Sequence, residues 1–197
     1  MKQSDTPFDD PKARFQAGLF GMWLFLVALG VLFVSVILGY VVVRVDNGSD
    51  FIPEGAPPPP ALLLVSTALL LLSSVTMQGA VRAGRSGDPR QGQRMAFTVA
   101  LAVGFLALQA IAWWQLAGQS LLPTDSLYAW TFYVLTALHA LHVLGGLPPM
   151  AVVTARAVRG RYGPDNHRGL VYCAMYWHFL DAVWIVLYAT LWIGSIR

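Results

Sequence analysis

The chain has 197 residues, 56% of them hydrophobic and only 12% charged, and its mean hydropathy is positive. Those proportions exclude an ordinary soluble domain and indicate an integral membrane protein. The net charge of +3 does not point to nucleic acid, because the basic residues flank apolar runs and form no patch interleaved with stacking aromatics.

Residues 1 to 17 mix Lys2, Lys12 and Arg14 with Asp5, Asp9 and Asp10. The apolar run that follows is too long for a signal-peptide core and lacks a small-residue cleavage site, so the first span is expected to stay in the chain. Five runs pass the length test for a membrane helix, in which about 20 residues at ~1.5 Å each cross a ~30 Å hydrocarbon core. They are expected at about Gly18 to Val43, Ala61 to Val81, Met95 to Ala117, Leu127 to Ala155 and Gly169 to Ile193. The predicted fold class is therefore an all-α membrane domain of five transmembrane helices spanning residues 1–197.

Lysine and arginine set its orientation. Lys2, Lys12, Arg14, Arg82, Arg85, Arg90, Arg94, Arg156, Arg159, Arg161 and Arg168 fall on one side of the five-span arrangement, and only Arg44 and Arg197 on the other. This places the amino terminus in the cytoplasm and the carboxyl terminus outside, as an odd number of crossings requires.

The first outer loop contains Asp46, Asp50 and Glu54 and ends in Pro57 to Pro60, a run without backbone donors that predicts a stiff, extended approach to the second span. In the third span Ala96, Ala100 and Gly104 recur every four residues, a small-residue stripe expected to mark a close helix contact. Gln109 and Gln115 need hydrogen-bond partners or the interface, and Trp113 and Trp114 suit the outer headgroup region. In the fourth span Gly145, Gly146, Pro148 and Pro149 predict a kink or an early end of the helix. No internal repeat is visible, which argues against an inverted-repeat transporter.

The last span carries the chemistry. His178 and Asp181 lie near its middle, and Asp181 is the only carboxylate in the apolar runs. An ionisable group at that depth costs a few kcal/mol on insertion scales, so it is expected to face protein, and the spacing of three puts both residues on nearly one helical face. His139 and His142 repeat the spacing on the fourth span. The expectation is a polar seam of His139, His142, His178 and Asp181 through which the last two helices pack.

Two other uses of those residues stay open from the sequence. Histidines on neighbouring helices are the axial ligands of b-type membrane cytochromes, and a histidine beside a carboxylate in a dry site is suited to proton transfer. His167 lies in a cytoplasmic loop and is expected to be solvated. Four histidines and one cysteine are too few for two haems and a copper, or for a binuclear copper centre with two cysteines. Cys173, being alone, also rules out an internal disulfide and reads as a small packing residue. No phosphate-cradling glycine loop, nucleophile elbow or pair of catalytic carboxylates is present.

Tyr176, Trp177, His178, Phe179, Asp181, Val183 and Trp184 form the pattern YWHFxDxVW, which resembles a signature of subunit III of the haem-copper oxidases, the cytochrome c oxidase subunit 3 family. Thr131, Phe132, Thr136, His139, Leu141, His142, Val143 and Gly145 are similar to the TFFxxTGxHxLHVxxG of that family. Weaker matches are Gly21, Met22 and Phe25, then Thr67, Leu72, Ser73, Ser74 and Thr76, then Leu108 with Gln109. The resemblance covers all five spans in order. It implies the five-helix form of the fold, without two additional amino-terminal helices of longer members, with helices 1–2 and 3–5 arranged in a V and a cleft that holds phospholipid.

The resemblance further implies an accessory subunit without catalytic residues, flanking the catalytic oxidase subunit I and other oxidase subunits in a bacterial cytoplasmic membrane and supporting aerobic electron transport. No cofactor or metal of its own is expected, haem and copper belonging to partner subunits. Three positions depart from the family, which usually has glutamate where this chain has Leu29, Ala112 and Val171. That departure implies retention of the helix-packing residues with loss of acid chemistry. The alternatives are an accessory subunit of a nitric oxide reductase or quinol oxidase, and, of another class, an independent haem-binding membrane cytochrome.

Overall fold

A computed structural model describes residues 11–53, 60–119 and 121–195. It contains five long helices: α1, Pro11–Asp46; α2, Leu62–Ser86; α3, Gln91–Gly118; α4, Leu127–Val158; and α5, Arg168–Gly194. A single 3₁₀ turn, Gly48–Phe51, follows α1. All five are long and apolar enough to cross a membrane, so the chain is a multi-pass membrane protein. Pro57, Pro58 and Pro59 of the expected stiff approach lie outside the described residues, as do Lys2, Asp5, Asp9, Asp10, Glu54 and Arg197.

The helices overrun the apolar segments that specify them. At ~1.5 Å per residue, the 36 residues of α1 extend about 54 Å, well beyond the hydrocarbon core. The backbone continues as helix past the apolar run because no breaker intervenes: Arg44, Val45 and Asp46 all remain in α1.

Between α2 and α3 the stop is abrupt. Gly87 adopts φ 73° at the end of α2, and the amide of Asp88 donates to the carbonyl of Ala83 at 2.9 Å, a left-handed glycine cap that closes the last turn. The two helices run back along each other from this turn. Ser126 caps the start of α4 by accepting from the Ala129 amide at 3.1 Å.

Helix α5 touches α1, α2 and α4, and α2 makes its most extensive contact with α3. The core sits around α5, where Trp177 and Trp184 are fully buried beside Phe33 of α1 and Phe105 of α3. These pairings do not divide the described helices into a 1–2 arm and a 3–5 arm, because α2 belongs to the same packed group as α3 and α5.

Two local expectations are corrected. Of the kink or early end expected at Pro148 and Pro149, the early end does not occur: α4 continues to Val158 with both prolines inside it. Burial on both sides holds it: Gly146 lies against the Tyr176 ring, and beyond the prolines Met150, Val153 and Ala157 are buried. The Ala96, Ala100 and Gly104 stripe is not the contact face of α3, since Ala96 and Ala100 are exposed and only Gly104 approaches a neighbour, Leu69 of α2. The face that packs carries Gly92, Met95, Thr98, Ala102, Phe105 and Ala112. At Gly92 a β-carbon would lie 2.8 Å from the Val158 Cα of α4, so only glycine permits that backbone approach.

Candidate functional site

Along α2, Ser73 and Thr67 face α5 and serve two bonds each. Ser73 Oγ donates to the Leu70 carbonyl at 2.6 Å and accepts from Trp177 Nε1 at 2.8 Å. Thr67 Oγ1 donates to the Leu63 carbonyl at 2.6 Å and accepts from Trp184 Nε1 at 2.9 Å. The hydroxyl proton returns to its own helix while the oxygen lone pairs are presented to the neighbour. Both indole donors are thereby satisfied by protein, as a hydrocarbon surrounding requires. The same device joins α3 to α4, where Trp113 Nε1 donates to Thr136 Oγ1 at 3.1 Å and Thr136 donates to the Phe132 carbonyl at 2.8 Å.

His178 extends this α2–α5 track. Its Nδ1 lies 2.6 Å from Ser74 Oγ and its Nε2 3.3 Å from Gln78 Oε1. The neutral Nε2–H tautomer fits both contacts, with Ser74 donating to Nδ1 and Nε2 donating to Gln78. Asp181 Oδ2 is 3.8 Å from the same Nδ1, and neither carboxyl oxygen has a hydrogen-bond partner, although the residue is buried.

The two histidines of α4 lie in different surroundings. His139 is fully buried, and neither ring nitrogen has a hydrogen-bond partner. Its ring lies 4.9 Å from Trp184, centroid to centroid, 5.7 Å from Phe105 in an edge arrangement, and 6.2 Å from Phe33. His142 Nδ1 is 2.7 Å from the Leu138 carbonyl of its own helix, and its ring is 5.0 Å from Phe33.

The expected four-residue seam is thus two separate groupings. His178 and Asp181 do share a face, but the side chains that bond His178 come from α2 and not from α4. The α4–α5 contact is made instead by the His139–Trp184 rings and by Tyr176 Oη donating to the His142 carbonyl at 2.9 Å. The physical reason is that α5 has three helical neighbours, and a spacing of three fixes a face without fixing which neighbour that face meets. Among the described residues no three His, Cys, Asp or Glu side chains come together in a metal-binding group.

The remaining singled-out residues are placed as follows. His167 is half-buried, with Nδ1 3.3 Å from the Gly163 carbonyl. Gln109 is buried without a partner for its amide, whereas Gln115 is exposed. Trp114 is exposed, but Trp113 turns inward to Thr136. Of the three departures from the family, Leu29 and Ala112 are buried in the core and Val171 is half-buried beside it. Thr67, Ser73 and Ser74 entered the sequence analysis only as family matches, without a role at the site, and Gln78 did not enter it. The available signal was the recurrence of Ser66 and Thr67 as Ser73 and Ser74 seven residues on, which repeats hydroxyls along one side of a helix otherwise rich in leucine.

Two cavities adjoin at the arginine-rich ends of α4 and α5. An apolar groove of about 360 Å³ lies between α1, α4 and α5, lined by Met22, Phe25, Gly146, Met150, Cys173 and Tyr176 among others. A polar pocket of about 460 Å³ is lined by Arg156, Arg161, Tyr162, Asn166 and Arg168. Gly169 and Tyr172 line both. Burial pushes the Tyr162 phenol above its ordinary range, and the Arg156 guanidinium draws it back.

Residues 9–196 match the sequence profile of the family described as Cytochrome c oxidase subunit III. The chain is 37% identical over 125 residues to cytochrome c oxidase subunit 3 of Danio rerio, covering 62% of this chain and 47% of that protein. It is 35% identical over 173 residues to cytochrome c oxidase subunit 3 of Synechocystis sp., covering 86% of this chain and 72% of that one. The matched region thus spans about half the length of the fish relative, at 47%, and more of the cyanobacterial one. A match of this extent, over all five helices, means that the chain belongs to the cytochrome c oxidase subunit III family.

Proposed function

We propose that this chain is an accessory, non-catalytic subunit of a respiratory haem-copper oxidase of the cytochrome c oxidase type. It braces the catalytic subunit I in a bacterial cytoplasmic membrane, with its amino terminus in the cytoplasm, and haem and copper belong to partner subunits. The observation that carries this reading is the use of the membrane-embedded polar side chains within a family-matched chain. Ser73, Thr67 and Ser74 are engaged in holding α2 to α5, and His139 is enclosed by aromatic rings. Side chains spent on helix packing serve a brace. His139, His142, His178 and Asp181 act as structural polar residues in this reading, and the apolar Leu29, Ala112 and Val171 leave no acid relay through those positions.

A bound phospholipid belongs to the same proposal. The apolar groove takes acyl chain, and the pocket of Arg156, Arg161 and Arg168 beyond Gly169 takes an anionic headgroup. The distribution of basic residues supports this placement, since these arginines are on the side assigned to the cytoplasm.

The test is purification from native membranes in a mild detergent, with identification of the copurifying polypeptides and a reduced-minus-oxidised spectrum of the complex and of the isolated chain. Copurification with a haem-containing oxidase subunit, and no haem band from the chain alone, is the expected result. A haem band in the isolated chain that disappears in His178→Ala overturns the proposal, as does copurification with a nitric oxide reductase instead.

A further inference from the structure

Helices α3 and α4 leave a groove of about 260 Å³ between them, with Gln109 and Trp113 of α3 and Ala137, Ala140 and Leu144 of α4 on its wall. The alanines lack the bulk to close it. Two of these residues carry a polar group without its ordinary partner, for separate reasons. Gln109 is 1% exposed, yet neither atom of its amide makes a hydrogen bond, a costly state in an apolar span. The Leu144 carbonyl has lost its helical donor, because Pro148 lies inside α4 and has no N–H. The side-chain hydroxyl that donates to this stretch, Tyr176 Oη, serves the His142 carbonyl instead.

The bond from Trp113 Nε1 to Thr136 Oγ1 sets the level of one helix against the other. Going away from the α3–α4 connection, Gln109 is four residues from Trp113 and Leu144 is eight from Thr136, so at ~1.5 Å per residue Leu144 stands about 6 Å beyond Gln109 along the bundle. Leu144 also lies beside the middle of α4, Leu127–Val158, a depth at which phospholipid offers acyl chain and not ester or head group. A membrane ligand that meets both groups has an apolar ring with polar atoms at opposite ends. One end is fixed in kind: a carbonyl only accepts and calls for a hydroxyl, whereas the Gln109 amide both donates and accepts.

We infer that the α3–α4 groove binds a membrane quinol, its ring between the helices and its tail in lipid, with one hydroxyl donating to the Leu144 carbonyl and the other held by the Gln109 amide. The oxidised quinone has no hydroxyl to give and binds less well. The groove is smaller than the usual site for a complete small molecule, which suits a ring whose tail stays outside. The quinol is held and not oxidised by these groups, since an amide and a peptide carbonyl take up no electrons. This goes beyond the proposed function and does not rest on it.

The test uses the full chain in phospholipid nanodiscs under argon, titrated with a decyl-substituted benzoquinol or with its oxidised form, and measures the ligand retained per chain. The quinol is expected to bind about tenfold more tightly than the quinone, the effect of one hydrogen bond. Pro148 is exposed and is not on the groove wall, and alanine there suits the helix while restoring the N–H that serves Leu144. Pro148→Ala is therefore expected to weaken the quinol about tenfold and to leave the quinone as it was. Gln109→Leu weakens both forms several-fold, and Ala137→Phe, which fills the groove from an exposed position, abolishes both. Ile185→Phe, in a cavity lined by α2 and α5, changes neither. Equal affinity for the two forms, an unaltered quinol affinity in Pro148→Ala, or retention undiminished by Ala137→Phe overturns the inference.

Discussion

The side of α5 that meets α2 and the side that meets α4 bury polar groups in different ways. Toward α2, each indole and imidazole has a hydroxyl or amide partner: Trp177 on Ser73, Trp184 on Thr67, and His178 between Ser74 and Gln78. Toward α4, His139 has no hydrogen-bond partner and is held by Trp184, Phe105 and Phe33. One side fixes register through several directional bonds, and the other packs rings around His139 and adds the Tyr176 Oη bond to the His142 carbonyl. A histidine in a membrane helix is therefore not one kind of object, and its neighbours decide whether its polarity is used.

Substitutions that separate these two modes sharpen the contrast. Trp184→Ala has the largest expected effect, because Trp184 joins both sides by bonding Thr67 and packing on His139 and Phe105. A loss of about 4 kcal/mol, typical of a buried aromatic removed without replacement, is expected in detergent unfolding. His178→Phe keeps a ring but leaves Ser74 and Gln78 without their partner, for an expected loss of about 2 kcal/mol. A denaturation midpoint unchanged in that variant contradicts the directional role of the α2 side.

Ser73→Ala removes the acceptor of Trp177, together with the Ser73 bond back to the Leu70 carbonyl of its own helix, and about 1 kcal/mol is expected, in the range of single side-chain bonds inside membranes. Tryptophan emission reports whether the orphaned indole moves. His139→Phe is expected to change stability little, by under about 1.5 kcal/mol and in either direction, since it exchanges one ring for another where no hydrogen bond is made. If His139→Phe proves worse than His178→Phe, the two sides of α5 have been assigned the wrong way round.

Much of the fold was legible because it depends on local properties of the chain. Whether about 20 consecutive residues are apolar is a question about one segment, and five apolar helices are expected on that basis alone. The helices run further than the apolar segments, as α1 reaches Pro11 and Asp46, because helix propagation does not stop where hydropathy does. The double proline in α4 misleads for a related reason. A local rule kinks or ends a helix there, but buried contacts at Gly146 and Met150 on either side keep the helix from ending.

The site was legible in part. His178 and Asp181 stand out as a pair because the helical period puts positions three apart on one face. The α2 partners do not, because Ser74 is 104 residues away in the chain and no pattern within α5 names the helix beside it. The small-residue stripe on α3 failed in the same way: its spacing was genuine, but the neighbours lie against the face of Met95, Thr98 and Ala102 instead.

By itself, the sequence determined that the chain forms five membrane-length apolar helices and which residues share each helical face, since hydrophobicity and the helical repeat are carried by every segment independently. Only the tertiary structure decided which faces meet. That choice depends on how several helices fill space together and which hydroxyls come within reach of which rings, and no single segment encodes it.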